Sequence, residues 1–396
     1  MATTAGRQVF PDRLRGIALL GIVVVNAPPL GISVDGFTSD SLTSIWDTGA
    51  AFVVIALAQG KFYLLFSFLF GYSASFILRD GSAPNRRRYA RRLLGLAAIG
   101  LIHAVFFYIG DILLTYAVLG FGLLALSRRS DHALRLWAGI AFAVGVILPF
   151  VMLGPLAELD PNALTAPTDP TLGALDTALA SGSFLDAGLA RLQALPISLA
   201  ALFVQQGAMA FGAFCLGLLA ARHRLLADPQ QHRVQWRRLA LIGLAVGLPV
   251  QIVAGSMAMS GLGNSASPAT TAVLGTVLVF ATAPLLAAGY LGLLGWGLAI
   301  RPDVVSFAAF PGRTSLSVYI GESVLLSLLY RGYGLGFFGE WGAFPVVLSG
   351  IAAWGVLAVL AYAWLRRLDQ GPLEILLARW TGKRAVNSSV PTATLP

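Results

Sequence analysis

The stretch RRRYARRLLGLAAIGLIHAVFFYIGD, residues 86–111, opens with five arginines in seven residues. It then runs uncharged through residues 93–110 to Asp111. A helix that crosses a bilayer needs about 20 apolar residues. A basic block feeding such a run reads as the cytoplasmic foot of a membrane span, because Lys and Arg collect on the cytoplasmic side. The same pattern recurs along the chain. Of 396 residues, 57% are hydrophobic and 11% charged, where a soluble domain carries about 25% charged residues.

Candidate spans are 14–33, 50–78, 93–110, 111–127, 134–154, 196–220, 239–258, 269–299, 314–331 and 343–365. The runs 50–78 and 269–299 exceed one span, so each is expected to bend or tilt, with Gly60 and Pro284 as break points. With the N-terminus in the cytoplasm, twenty-four of the twenty-seven Lys and Arg residues fall inside; the exceptions are Lys61, Arg191 and Arg331. The outer loops are acidic, with Asp35, Asp40 and Asp47 in the first and Glu158, Asp160, Asp169, Asp176 and Asp186 in the second.

The expected fold is therefore all-α: a polytopic membrane bundle of about ten transmembrane helices, both termini cytoplasmic, forming one domain over residues 1–380. Residues 155–195 make the one long outer loop, in which 171–194 reads as an amphipathic helix, a cap or a lid over the bundle. The tail 381–396 reads as disordered. The first apolar run ends in Asn26-Ala27-Pro28-Pro29 without a small-residue cleavage site, so it is read as a retained helix rather than a signal peptide.

The net charge of +9 is dispersed over short loops, which points to membrane orientation rather than nucleic acid. The single cysteine, Cys215, excludes an internal disulfide or a cysteine metal site. No span carries two His or carboxylate ligands at helical spacing, so no metal is expected.

With the apolar bulk assigned to helices, chemistry falls to the few polar residues inside spans, which usually face a cavity or a partner. A rise of about 1.5 Å per residue, counted from the nearest cytoplasmic arginine, places Asn26, His103 and Glu322 near mid-membrane, at roughly 14–16 Å. The same ruler puts Asp111 and Lys61 near the outer surface, at roughly 27–28 Å. Lys61 and Asp111 then read as an outer ion pair. Asp111 lies about 12 Å along a continuous helix from His103, so a direct contact needs a break near Gly110, and Glu322 is the better match in depth. A neutral imidazole in apolar surroundings accepts a proton from a hydroxyl or amine, with a carboxylate to orient it.

Four stretches resemble the YeiB family of bacterial inner-membrane proteins. They are Asp12-Arg13-Leu14-Arg15-Gly16 onward to Asn26; Lys61-Phe62-Tyr63 through Phe66 to Tyr72; His103 with Gly110-Asp111-Ile112-Leu113 and Tyr116; and Gly312-Arg313-Thr314 with Tyr319, Ser323 and Gly371-Pro372-Leu373-Glu374. The chain departs from the family at Val318, where Asn is usual, and at Glu322, where Gln is usual. That family is similar to the transmembrane acyltransferases, which include the lysosomal enzyme that acetylates heparan glucosamine. The resemblance implies about ten helices around a pore, an acyl-coenzyme A donor on the cytoplasmic side, and a membrane histidine and first-helix asparagine as the polar groups. Asn26 holds the asparagine's place. Transport has also been suggested for the family.

Two functions fit these residues. The first is acyl transfer, with acetyl the expected group, from acyl-CoA to a hydroxyl or amine. In it His103 acts as general base, Asn26 holds the carbonyl or oxyanion, and Asp111 or Glu322 serves as the partner carboxylate. Arg13, Arg15, Arg86, Arg87, Arg88, Arg92 and Arg313 meet the donor's phosphates, and Lys61, Tyr63, Tyr116 and Tyr319 meet the acceptor. The second is a proton-coupled transporter or flippase with His103, Glu322 and Asp111 as a relay. Expected partners are membrane lipids and a small-molecule or glycan acceptor, without nucleic acid; a homodimer is compatible with either function.

Overall fold

A computed structural model describes residues 8–78, 80–159, 170–262 and 269–382, and every regular element among them is helical. The tail proposed as disordered lies almost wholly outside the described residues. The chain begins with α1 (Val9–Gly31), α2 (Ile45–Val53), α3 (Lys61–Leu78), α4 (Ala83–Phe106), α5 (Leu113–Leu126) and α6 (Asp131–Leu159). It continues with α7 (Pro170–Ser181), α8 (Phe184–Leu202), α9 (Ala208–Arg222), α10 (Arg233–Met259) and α11 (Ala269–Ile300). It ends with α12 (Ala309–Arg313), α13 (Ser315–Tyr330), α14 (Ala343–Leu365) and α15 (Pro372–Trp380).

Eight helices among the described residues are long and apolar enough to cross a membrane, and α5 and α13 are shorter apolar helices. Polarity is arranged as a bilayer requires. Leu136, Ile140, Val144 and Ile147 point outward from α6, while Lys61, His103, Asp111, Arg191, Glu322 and Arg331 are buried. A soluble protein reverses that order. The chain is a multi-pass membrane bundle.

α1 is the hub, packed against α3, α12, α13 and α14. α10 and α11 form a long hairpin, and α3 crosses α9 where Gly71 faces the Phe214 backbone and Gly217 faces the Phe68 backbone. Without a hydrophobic drive between helices in lipid, such small residues let backbones approach and gain dispersion contact.

The expected break at Gly60 is present: a π-type turn over 54–58 ends there, and Gly60 takes φ +86 before α3 begins. Pro284 instead lies inside an unbroken α11. The amphipathic helix expected over 171–194 is two helices, split at Gly182-Ser183, where Ser183 and Asp186 form a capping box that starts α8. From Phe184 the chain runs through a second π-type turn into α9, so α8 is continuous with the long apolar stretch Phe184–Arg222.

Candidate functional site

The most consequential local event is the end of α4. Both Phe107 N and Tyr108 N donate to the His103 carbonyl at 2.9 Å, which closes the helix. Two remote side chains satisfy the next carbonyls: Arg191 Nη1 donates to Phe106 O at 3.0 Å, and Ser327 Oγ donates to Phe107 O at 3.1 Å. The chain then doubles back, and Asp111 returns to the level of His103. His103 Nδ1 and Asp111 Oδ2 are 2.7 Å apart, at 1% and 0% side-chain exposure. This corrects the sequence expectation, which carried Asp111 outward on a continuous helix. Asp111 Oδ1 accepts from Leu114 N at 3.0 Å, so the carboxylate also closes the N-terminus of α5. With the carboxylate accepting from Nδ1–H, Nε2 keeps a lone pair and has no hydrogen-bond partner among the described residues.

Lys61 and Asp111 form no ion pair. Lys61 is fully buried, and its ammonium donates to Ile55 O at 3.3 Å and Gln59 O at 2.7 Å. It stabilises the frayed end of the π-type turn and lines neither cavity described below. Glu322 is 2% exposed, its Oε1 lacks a partner, and it makes no hydrogen bond with His103. The match in depth did not become a contact.

Two cavities approach this pair from opposite ends. The first, of about 590 Å³, is lined by Arg15, Arg88, Arg92 and Arg313, with Tyr116 and Tyr319 among its walls. Apolar Phe66, Leu69 and Phe70 complete its interior. The second, of about 570 Å³, holds Asn26, Gln59, Tyr63, Tyr108 and Tyr319. Tyr319 lines both, and its ring centroid lies 5.2 Å from that of His103. His103 itself lines neither, so Tyr319 is the neighbour of His103 that both cavities share.

The arginines proposed for the donor separate into two groups. Arg15, Arg88, Arg92 and Arg313 reach the first cavity. Arg13 donates to the carbonyls of Pro302 and Val304, and Arg86 to Leu124 O and Ser127 Oγ, each tying elements together. Arg87 faces solvent. Helical spacing explains the division, because residues four apart such as 88 and 92 share a face.

Asn26 accepts from the Tyr108 hydroxyl at 3.3 Å. It sits just before Pro28 and Pro29, which have no N–H to give the carbonyls of Val24 and Val25, so α1 lacks two of its regular helix bonds beside Asn26. Tyr116 bonds Ser67 Oγ and the Tyr63 carbonyl, which braces the wall between α3 and α5. Sequence reasoning passed over Gln59, Tyr108 and the Gln205-Gln206 pair, all on the second cavity; polar side chains inside apolar runs were the available signal.

Glu374 has a positional role. Its Oε1 accepts from Leu316 N at 2.7 Å and from Ser317 N at 3.3 Å, and its Oε2 from Ser317 Oγ at 2.6 Å. A carboxylate from α15 thereby caps the N-terminus of α13, the helix that carries Tyr319.

Comparisons with known proteins bear on both halves of this arrangement. Residues 220–384 match the family described as Protein of unknown function (DUF418), a region that contains Tyr319, Glu322 and Glu374. The chain is 28% identical over 388 residues to the uncharacterized protein YxaH of Bacillus subtilis, covering 92% of each chain. It is 27% identical over 395 residues to the uncharacterized protein YeiB of Escherichia coli, covering 96% of this chain and 97% of that one. A 39.9 kDa protein from the amylase 3' region of Bacillus acidopullulyticus is 32% identical over 156 residues, 36% of this chain and 43% of its own length. The DUF418 match over residues 220–384 and the near full-length similarity to YxaH and YeiB agree with the resemblance to the YeiB family.

Proposed function

We propose that the protein is a membrane acyltransferase of the bacterial cytoplasmic membrane, moving an acyl group from acyl-CoA in the basic cavity to a hydroxyl or amine acceptor in the second cavity. The observation that carries this reading is the shared wall: Tyr319 lines both cavities and packs against the buried His103 of the His103–Asp111 pair. In the proposed orientation the basic face is cytoplasmic, as the distribution of arginines favours.

The residues present suit the donor. Arg15, Arg88, Arg92 and Arg313 offer guanidinium donors for phosphates, and the Phe66, Leu69 and Phe70 wall suits the pantetheine arm and acyl chain. His103 Nε2 takes the acceptor's proton as the acceptor oxygen or nitrogen bonds the thioester carbon. Asp111 holds the imidazole tautomer and stabilises the imidazolium. The Tyr319 hydroxyl or the Asn26 amide supports the developing oxyanion. When the carbon–sulfur bond breaks, the imidazolium returns its proton to the departing thiolate. Reaching Nε2 requires the Tyr319 ring to turn aside, so opening of the shared wall and catalysis are one event.

Release of coenzyme A thiol from acetyl-CoA, by the purified full-length protein supplied with membrane extract, tests the reading. His103→Ala should abolish release while leaving insertion and detergent stability intact. Release undiminished in that variant excludes His103 as the base.

Two cavities with a shared wall also suit alternating access, which supports a proton-coupled transporter as the second reading. The isolation of Glu322 from His103 weakens its relay. Proton-coupled solute uptake into vesicles without any acyl donor would favour transport.

A further inference from the structure

Three cations depart from the charge asymmetry of the sequence: Lys61, Arg191 and Arg331. All three are buried, at 0%, 1% and 2% exposure. Backbone carbonyls account for Lys61. The two arginines are different. Among the described residues no carboxylate lies within ion-pair distance of either one, yet each lies within electrostatic range of the other. Two like charges in an apolar interior repel, and a buried cation without a counter-charge is among the costliest arrangements a fold can hold.

Several of their nitrogens are unused. Arg191 Nη2, Arg331 Nε and Arg331 Nη1 are buried without a hydrogen-bond partner among the described residues. The Tyr333 hydroxyl is buried as well and lies within hydrogen-bonding reach of Arg191. The remaining contacts hold the guanidiniums still. Arg191 Nη1 is anchored on Phe106 O at 3.0 Å, Arg331 Nη2 reaches Pro29 O at 3.5 Å, and the Arg331 guanidinium carbon lies 4.7 Å above the Phe338 ring. Asp176 is the nearest acidic candidate, but its oxygens accept from Ser33 Oγ and Val34 N.

We propose that Arg191 and Arg331 form a binding site for an oxyanion, a phosphate or carboxylate group, at the end of the bundle where α4, α13 and α1 terminate. Buried, fixed guanidiniums with spare donors match oxyanion geometry. Pro29, whose carbonyl Arg331 touches, and Tyr108 both line the second cavity, so that cavity reaches the residue beside Arg331. The anion is either free in solution or carried on a lipid headgroup, and both present the same oxygens. The inference does not depend on acyl transfer.

The test uses full-length protein in detergent and in nanodiscs. Its unfolding midpoint is measured against sodium phosphate and sodium acetate, with ionic strength held constant by a bulky sulfonate salt. A second arm compares nanodiscs of phosphatidylcholine with and without phosphatidic acid. A midpoint rising saturably with phosphate or acetate supports a free-anion site, and a rise only with phosphatidic acid supports a headgroup site. In Arg331→Lys and Arg191→Met the half-saturating concentration should increase about tenfold or more. A wild-type midpoint indifferent to every anion overturns the proposal without recourse to any variant. So does a response of equal size and half-saturation in both variants.

Discussion

His103 and Asp111, eight residues apart in sequence, meet at 2.7 Å because α4 ends at Phe106 and the chain turns back on itself. The pair is shared between two helices: the backbone carbonyl of His103 closes one and the carboxylate of Asp111 starts the next. Asp111→Asn keeps the cap on Leu114 N but loses the negative charge and the tautomer control over His103. Coenzyme A release should fall by about 10²- to 10⁴-fold with little change in thermal stability. An unaltered rate in that variant would show the pair to be structural only.

The approach of α5 to α4 depends on Gly100. A Cβ there would stand 2.7 Å from Asp111 Oδ1 and 2.7 Å from Leu114 N. Gly100→Ala should push the start of α5 away, costing about 1–3 kcal/mol of stability and reducing activity as Asp111→Asn does. Gly139 in α6 has nothing within 4 Å of such a Cβ, so Gly139→Ala is the matched control. Thermal unfolding of both in detergent, beside the rate assay, checks this; equal midpoints for the two would contradict it.

The partition should behave as one ring. Tyr319→Phe preserves the wall and removes the hydroxyl, so it should slow catalysis without opening the bundle. Tyr319→Ala joins the cavities, and proteoliposomes of that variant should leak a small trapped solute faster than wild type. A Tyr319→Ala variant as tight as wild type would mean that other residues complete the barrier.

The arginines should divide by function as they do by position. Arg88→Ala and Arg92→Ala should each weaken coenzyme A binding by about 10- to 100-fold, the range for a charge-assisted hydrogen bond. Arg13→Ala should leave binding near wild type and lower stability instead, since its guanidinium holds the turn at Pro302 and Val304 to α1. Calorimetric titration with coenzyme A, paired with thermal unfolding, separates the two effects.

Much of this was legible in the chain because a bilayer sorts residues severely. Basic blocks and apolar runs marked where the helices lie, and Gly60 announced a break. The depth ruler worked wherever a helix is continuous. It misplaced Asp111 because nothing local ends α4: neither proline nor a left-handed glycine follows Phe106. Arg191 and Ser327, 85 and 220 residues away from the carbonyls they bind, satisfy that end, and such tertiary partners leave no trace in the local pattern. Lys61 was misread for a related reason. A lysine near a span's end usually reaches for water, whereas here the π-type turn supplies carbonyls that hold it inside.

The Glu374 cap gives the order of synthesis a meaning. Every membrane-crossing helix of the bundle precedes α15 in the chain, yet the amides at the start of α13 wait for a carboxylate 58 residues further on. A nascent chain halted before residue 371 can thread all its helices through the bilayer and still hold Tyr319 on a helix with an open first turn. Insertion and maturation are thus separate milestones, and the last short helix serves as the latch that ends assembly.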